Sequence, residues 1–335
     1  MKIAFIIPPN YDYLCATVIE GLFENNIEIF TNEDSNYGIK ISRNKFIKYA
    51  NNASYVFISS GKLTDYSYLK FISNKNIIYI DGSDFPTIEH IFHKNYLFFF
   101  KRELLKNSLL RNQGFHPLPF AIEKRYFPSI YLNKDIKVSY VCSLNNFFRR
   151  SAFLALKQNF LNDSFIGSTG EVAYNGINKL PINSPIYYNI LNRSLISINI
   201  PGKGWDCSRY WEIIANKSCL LTYRLDIEIP YTLIENEHYF AFSTIEEMIE
   251  KCYFLINNPK IAIETAEKAL MHVKIHHTTK ARVNYLLNII NSNNEFFHNS
   301  HIFKLSKIYS FVYYKVLFFL YKIYKYLLNY FKKFI

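Results

Sequence analysis

The sequence lacks the cysteine spacing that marks disulfide-stabilised or zinc-binding proteins. Five cysteines occur in 335 residues: Cys15, Cys142, Cys207, Cys219 and Cys252. No two of them form a CxxC pair, and four of the five lie in or beside apolar segments. Disulfide frameworks and structural zinc sites depend on paired or regularly spaced cysteines. We therefore expect reduced thiols in the core of a cytosolic protein.

An apolar run of signal-peptide length is also missing near the start. The run at Lys2–Ile7 is short, and Pro8 and Pro9 end it. Secretory signals need a longer apolar region, so we expect no signal peptide. A chain of 335 residues is long enough for two domains, each with its own core.

Acidic residues, proline and glycine are all absent from Ile302 to Ile335. At about 100° per residue in a helix, one sector of this segment gathers Asn329 and all of its lysines: Lys304, Lys307, Lys315, Lys322, Lys325, Lys332 and Lys333. The remaining surface is mostly aromatic and aliphatic. This pattern is typical of a basic amphipathic helix in a bilayer interface, with packing onto another protein as the alternative.

The tail also explains the basic character of the chain. Its seven lysines carry more than half of the net charge of +12. A cationic amphipathic segment attracts anionic lipid. We therefore predict that residues 302–335 bind an anionic membrane surface, and that nucleic acid, suggested only by charge, is not a partner.

Apolar runs alternate with helical patterns through the first part of the chain. Strands are predicted at Lys2–Ile7, Tyr55–Ser59 and Ile77–Ile80, with a helix at Tyr13–Glu24. This alternation is typical of a parallel sheet covered by helices, an α/β fold. Two carboxylates follow the third of these strands, and we interpret them as candidates for binding acceptor hydroxyls or for capping the loop: Asp81 and Asp84.

The most informative stretch is a strand, a glycine loop, a helix and a second strand. The strand is predicted at Leu195–Ile200, the helix at Ser208–Asn216 and the second strand at Cys219–Thr222. The loop contains Gly202, Lys203 and Gly204. Ligands of such βαβ units bind beyond the carboxyl ends of the strands, near helix N-termini that attract phosphate. An ordinary βαβ unit without a ligand is the alternative.

The residues that follow carry a family resemblance. RYWEIIANKSCLLT, then IP, ENE and HYFAF, resemble the C-terminal half of group 1-type glycosyltransferases, and the similarity runs from Tyr187 to Leu287. Within the group the chain is most similar to the spore-maturation (CgeB-like) branch. The resemblance implies a GT-B fold, in which two Rossmann-like domains face a cleft. We place them at residues 1–125 and 126–294, with a linker and the tail at 295–335.

The resemblance also assigns residues to the nucleotide sugar. Glu212 matches the glutamate that accepts hydrogen bonds from ribose hydroxyls in the wider group. Many members carry a second glutamate, giving E-x7-E, but here that position is Gly204, and Asp206 is the nearest acidic substitute. Arg209 lies one helical turn before Glu212. It can hold Glu212 in place or meet phosphate charge.

Two adjacent arginines stand at another predicted strand-to-helix turn. Arg149 and Arg150 follow the strand Lys137–Cys142. Guanidinium groups at such a turn can reach a diphosphate with two parallel hydrogen bonds. A solvated basic helix start is the alternative.

The histidines predict neither a metal site nor an identified catalytic base. His272 and His276 have helical spacing, but only the adjacent His277 is available nearby as a third ligand. His90 and His93 lie in the first domain without a local pattern that identifies a base. We expect no metal and no cofactor apart from the donor substrate.

Together these observations predict a membrane-associated GT-B glycosyltransferase on the cytoplasmic face. It moves a hexosyl group from a nucleotide diphosphate-sugar donor to a glycan or lipid-linked acceptor, in surface polysaccharide or glycoconjugate synthesis. A non-catalytic GT-B-like scaffold in surface assembly is the alternative, which the glycine at position 204 keeps open.

Overall fold

In the computed structural model the chain forms two parallel-sheet α/β domains. The structure describes residues 1–34, 38–60, 63–86, 96–111, 114–160, 162–169, 178–180 and 185–292. His90, His93 and the tail at residues 302–335 lie outside these ranges, so the predictions made for them stay predictions.

The first sheet has six parallel strands in the order β2-β1-β3-β4-β5-β6. They are β1 (Lys2–Ile6), β2 (Glu28–Thr31), β3 (Tyr55–Ser59), β4 (Ile77–Asp81), β5 (Phe98–Lys101) and β6 (Phe115–Pro117). Helices α1 (Tyr13–Glu24) and α2 (Arg43–Asn52) belong to the same domain. The predicted bounds of β3 and α1 are confirmed. The carboxylate of Asp12 caps α1 by accepting a hydrogen bond from the backbone N–H of Cys15 at 2.8 Å.

Strand β6 was not predicted. The sequence suggested only a proline-stiffened segment at Phe115–Phe120, whereas the structure pairs Phe115–Pro117 with β5. A proline is tolerated there because β6 is at the edge of the sheet, where a missing N–H breaks no ladder bond. The chain then passes through a short 3₁₀ turn at Lys124–Tyr126 to the second domain.

The second sheet has the order β12-β11-β10-β7-β8-β9, again with every pair parallel. Its strands are β7 (Ile136–Cys142), β8 (Ser164–Thr169), β9 (Asn178–Leu180), β10 (Ser194–Asn199), β11 (Cys219–Tyr223) and β12 (Phe240–Phe242). Its helices are α3 (Phe147–Asn159), α4 (Pro185–Arg193), α5 (Ser208–Ala215), α6 (Ile245–Asn257), α7 (Pro259–His276) and α8 (Thr279–Ser292). The strand order reverses between β7 and β10, the place where doubly wound sheets bind ligands.

Apolar sequence runs explain the core of this domain. Every residue of β10 is buried, as expected for a central strand covered by helices on both faces. In α5, six of the eight residues are buried, including Trp211. The helix therefore has little freedom to shift, and the loop before it is attached to a rigid element.

The last described helix packs across the domain boundary. Thr279, at the start of α8, donates a hydrogen bond from Oγ1 to Glu24 Oε2 of α1 at 2.7 Å. A Cβ atom built on Gly21 of α1 would lie 2.2 Å from the carbonyl oxygen of Thr279 and 2.5 Å from Val283 Cγ2. The end of the chain segment assigned to the second domain thus rests on the first. None of the described helices is long and apolar enough to cross a membrane.

The close contact between α1 and α8 predicts a large effect of a small substitution. Gly21→Ala should lower the free energy of unfolding by about 1–3 kcal/mol, because the added methyl group meets a backbone carbonyl that cannot move away alone. At an exposed helical site the same change would instead stabilise by about 0.5–1 kcal/mol. Denaturant unfolding shows whether Gly21→Ala lowers or raises the free energy of unfolding. The substitution Lys45→Ala, at an exposed site on α2, is the control.

Candidate functional site

A cleft of about 350 Å³ lies between the carboxyl edges of the two sheets. Its lining comes from both domains and from the connection between them: Tyr11, Tyr13, Asp84, Arg102, Phe120, Arg125, Tyr126, Asn145, Gly202, Lys203, Gly204, Asp206, Cys207 and Ser208. The second domain contributes the loops that follow β7 and β10. The cleft therefore opens at the point where the order of the second sheet reverses.

The glycine loop predicted from sequence lines this cleft. Gly202, Lys203 and Gly204 connect β10 to α5, and Lys203 is exposed. A Cβ atom on Gly202 would lie 3.1 Å from Arg149 Nη2, so a larger residue would press on that guanidinium. The loop thus places its backbone and the exposed ammonium group of Lys203 near the start of α5, an arrangement suited to an anionic ligand.

Arg149 lies behind the loop and joins two chain segments. Its Nη2 donates to the carbonyl of Ile200 at 2.8 Å, and its Nη1 donates to the carbonyl of Ser143 at 3.0 Å. It therefore links the end of β10 to the end of β7. Burial lowers its pKa, and the neighbouring Arg209 acts in the same direction. Arg150 donates from Nη1 to the carbonyl of Leu144 at 3.3 Å. Most of these contacts are with backbone carbonyls; Arg149 Nη1 also donates to Asn145 Oδ1 at 3.4 Å.

Glu212 is buried within the second domain. Its Oε2 accepts a hydrogen bond from the hydroxyl of Tyr187 at 2.9 Å. Burial raises the pKa of Glu212, while the Tyr187 hydrogen bond and the positive charge of Arg209 oppose the rise. The carboxylate is held in one orientation close to the start of α5.

Arg209 is a covered cation with unsatisfied hydrogen-bond donors. Its Nε and Nη1 atoms are shielded from solvent and have no hydrogen-bond partner among the residues that the structure describes. No carboxylate among the described residues forms an ion pair with it. Burial acts to lower the pKa of Arg209, but its polar neighbours, first Cys142 and Tyr187, outweigh burial and raise it. Buried donors without partners are costly, so this guanidinium favours an anionic ligand.

Asp206 makes hydrogen bonds within the protein. Its Oδ2 accepts from the backbone N–H of Phe120 at 2.6 Å, and its Oδ1 accepts from Trp211 Nε1 at 3.0 Å. Burial raises its pKa, with Arg102 as the main opposing charge. Asp206 thus links α5 to the connection between the domains, and it also borders the cleft.

The two acceptor-side candidates lie in different environments. Asp84 borders the cleft, is partly exposed and forms an ion pair with Arg102. Asp81 does not reach the cleft. It is fully buried, pairs with Lys101 at 3.1 Å, and accepts hydrogen bonds from Ser60 and the backbone of Ser83. Asp81 thus caps the loop that follows β4, and of the two carboxylates Asp84 is the one that borders the cleft.

Apart from Asp84, sequence reasoning missed the residues that the first domain and the connection contribute to the cleft. Arg102 and Glu103 follow β5 directly, so their position at the carboxyl end of a strand was the available signal. Arg102 lies over the ring of Phe120, at 4.6 Å from its centroid. Arg125 and Tyr126 also line the cleft, and Arg125 Nε donates to Glu123 Oε2 at 2.6 Å. No sequence pattern distinguishes Arg125 and Tyr126 from ordinary turn residues.

The histidines of the second domain contact one another around a backbone carbonyl. The Nε2 atoms of His272 and His277 lie 2.8 and 3.0 Å from the carbonyl oxygen of Tyr231. His276 stacks on the ring of Tyr231. Among the described residues, no group of three or more histidine, cysteine or acidic side chains is arranged to hold a metal ion.

Comparison with known proteins supports the fold and part of the family resemblance. Residues 149–288 match a family model described as glycosyl transferase-like. These residues include α5 and the loop after β11. No curated protein matches the chain by sequence.

Solved structures resemble the chain over most of its length. A glycosyltransferase from Rickettsia africae has a TM-score of 0.62 and 12% identity, covering 88% of this chain and 99% of its own. The Anabaena protein HepE in complex with UDP and glucose has a TM-score of 0.63 and 10% identity, covering 88% and 100%. An alpha-glucosyltransferase in complex with UDP-glucose and DNA has a TM-score of 0.59 and 11% identity, covering 87% and 98%. Residues 149–288 thus match a glycosyl transferase-like domain within a chain that has the two-domain GT-B fold of known glycosyltransferases.

Proposed function

We propose that the chain is a glycosyltransferase that moves a hexosyl group from a nucleotide diphosphate-sugar donor to a glycan or lipid-linked acceptor. The observation that carries the proposal is the covered guanidinium of Arg209, which lies near Glu212 in the domain that matches the glycosyl transferase-like model. Two of its donors are left unpaired by the residues that the structure describes. UDP-sugars or UDP are bound by two structures of the same fold. Within group 1, we place the chain nearest the spore-maturation (CgeB-like) branch.

In this proposal, charge on the departing diphosphate is stabilised by groups already in place. Arg209, Lys203, the backbone of the glycine loop and the N-terminus of α5 supply positive potential at one edge of the second sheet. Such preorganised groups stabilise charge that develops in a transition state. Arg149 and Arg150 add cationic charge behind the loop, and we propose that this charge also acts on the diphosphate. Glu212 accepts hydrogen bonds from the ribose.

The acceptor is proposed to enter from the first-domain side of the cleft, where Asp84 is partly exposed. A carboxylate there can accept hydrogen bonds from sugar hydroxyls. The reaction needs no resident cofactor, because the nucleotide sugar itself carries the group that is transferred. We expect the acceptor to belong to surface polysaccharide or glycoconjugate synthesis.

The proposed function is tested with a panel of nucleotide diphosphate-sugars, scored for binding and for release of the nucleoside diphosphate. The wild-type chain should bind at least one donor and release its nucleotide when acceptor is present. Glu212→Gln keeps an acceptor for Tyr187 but removes the charge, and should weaken binding by about tenfold. Glu264→Gln, at an exposed site on α7, is the control.

Two outcomes of the panel would decide against the enzyme. Absence of binding to every donor would reject a nucleotide-sugar site. Binding without release, in the presence of a broad set of acceptors, would favour the non-catalytic scaffold. The scaffold is the second candidate because the donor-side carboxylate of E-x7-E is absent at Gly204 and both oxygens of Asp206 already accept protein hydrogen bonds.

Arg209 gives a prediction in which stability and binding change in opposite directions. Arg209→Leu removes an unpaired buried charge, so the free energy of unfolding without ligand should stay the same or rise. Nucleoside diphosphate affinity should fall by about tenfold or more, because a charge-assisted contact is lost. Denaturant unfolding and calorimetric titration measure the two effects. A variant that is destabilised yet binds normally would show that Arg209 is structural.

We further propose that residues 302–335 hold the enzyme on the cytoplasmic face of the membrane. Replacing all seven tail lysines by glutamine in the full chain should abolish sedimentation with anionic vesicles, since each lysine near such a surface contributes about 1 kcal/mol. Nucleotide binding should be unchanged. Equal sedimentation of the wild-type chain with neutral and anionic vesicles would contradict the electrostatic part.

Nucleic acid remains the less favoured partner. One solved structure of this fold is a complex with DNA, but the basic charge of this chain is concentrated in the tail. The variant with all seven tail lysines replaced by glutamine therefore also tests DNA binding. It should lose any non-specific retention on DNA. Retention that survives the substitution would favour a nucleic-acid acceptor.

A further inference from the structure

Glu103 is a carboxylate of the first domain that is bound by the glycine-containing loop of the second. It follows β5 and is fully buried. Its Oε2 accepts a hydrogen bond from the backbone N–H of Trp205 at 2.9 Å, and its Oε1 accepts from the N–H of Asp206 at 3.1 Å. Both donors belong to the short segment between Gly204 and α5. Hydrogen bonds to a charged group are stronger than neutral ones, so the segment is held from across the domain boundary.

The space at position 204 is filled by this carboxylate. A Cβ atom built on Gly204 would lie 2.3 Å from Glu103 Oε1 and 2.9 Å from Glu103 Cδ. The backbone of Gly204 does not adopt a positive φ. Glycine is therefore required here by packing against Glu103 and not by backbone conformation. A side chain at position 204 and Glu103 in its observed place exclude each other.

Further contacts fix the same segment of the first domain against the second. Arg102 Nη2 lies 3.3 Å from Glu103 Oε1 and balances its charge. The carbonyl of Leu104 accepts a hydrogen bond from the N–H of Glu228 at 2.7 Å, and Leu105 forms an antiparallel bridge with Ile227. Burial raises the pKa of Glu103 to about 7, with Arg102 as the main opposing charge.

We propose that Glu103 is a positioning residue that sets the shape of the donor-binding loop and couples that shape to the contact between the two domains. This inference rests on the proposed function for its consequence, the binding of nucleotide, but not for the contact itself. Where the domains separate, the N–H groups of Trp205 and Asp206 lose their acceptor and the loop is released. The second domain cannot replace this acceptor from position 204, because glycine has no side chain.

Hydrogen exchange of the full chain without nucleotide tests the contact. Glu103→Ala should speed exchange of the Trp205 and Asp206 amides by about tenfold or more, since both lose a buried acceptor. Glu103→Gln keeps one carbonyl acceptor and should give an intermediate rate. Amides of β11 should exchange as in wild type, which separates local release from global destabilisation. Unchanged exchange at both amides in Glu103→Ala would overturn the proposal.

A matched control comes from an ion pair that crosses the same domain boundary. Glu228 pairs with Arg111 at 2.8 Å, but the arginine is exposed, and such pairs contribute little. Glu228→Gln should therefore leave the loop amides protected. Release of the loop by this control as well would show that general loosening of the boundary, and not Glu103, is responsible.

Gly204→Ala provides a second, independent variant in case Glu103→Ala folds poorly. The added methyl group should displace the carboxylate and release the same amides. Both substitutions break the same contact. The double variant Glu103→Ala with Gly204→Ala should therefore exchange the Trp205 and Asp206 amides no faster than the more severe single variant. Additive effects would contradict a shared contact.

Nucleotide titration then separates this inference from the proposed function. If the wild-type chain binds a nucleoside diphosphate, Glu103→Ala should raise its Kd by about tenfold, while Glu228→Gln should not. If no nucleotide binds, the proposed function fails, and hydrogen exchange still decides the contact. Released amides with an unchanged Kd would show that Glu103 holds the loop without positioning it for the donor.

Discussion

Two buried carboxylates hold the domains of this protein against each other. Glu103 accepts from the loop that precedes α5, and Asp206 accepts from Phe120 in the connection and from Trp211 in α5. Burial raises the pKa of both groups, which shows that keeping these charges inside is costly. Removing either carboxylate would leave its N–H donors buried and unpaired, at a cost of about 1–3 kcal/mol for each donor. The cleft, the glycine loop and the start of α5 all depend on these contacts.

The candidate site combines this rigid frame with a buried cation whose hydrogen-bond donors are only partly satisfied by the described residues. Arg209 and Glu212 lie on one face of α5. Glu212 accepts a hydrogen bond from Tyr187, whereas two nitrogens of Arg209 find no partner in the described part of the chain. A buried cation of this kind reduces stability in the absence of ligand. Functional sites often keep such groups because a ligand satisfies them. Arg209 lies behind the residues that line the cleft, and in our proposal an anionic donor bound at this edge of the sheet completes the hydrogen bonds of its guanidinium.

Much of the fold was predictable because its signals are local. Helix α1 has its cap, its periodic face and its end within one short stretch, and β3, β10 and β11 are continuous apolar runs. The glycine loop and Glu212 could be placed at the carboxyl edge of the second sheet for the same reason. Strand β6 was missed because its proline argued against a strand, and only its edge position makes the proline acceptable.

The individual roles within the site were less predictable because they depend on packing between distant segments. Nothing near Gly204 in sequence indicates that Glu103 fills the space of its missing side chain. The pairing of Asp81 with Lys101 and the contacts of Arg149 with two loop carbonyls also require the folded sheets. Residues of the right type were found at the right edge. Which of them border the cleft depends on partners elsewhere in the chain.

The most direct test of the nucleotide site is a crystal structure of the chain with a nucleoside diphosphate. We expect the diphosphate between the glycine loop and Arg209, with phosphate oxygens at hydrogen-bond distance from Nε or Nη1 of Arg209 and the ribose hydroxyls on Glu212. A nucleotide bound elsewhere in the fold, with the Arg209 donors still unpaired, would contradict the assignment of this cleft as the donor site.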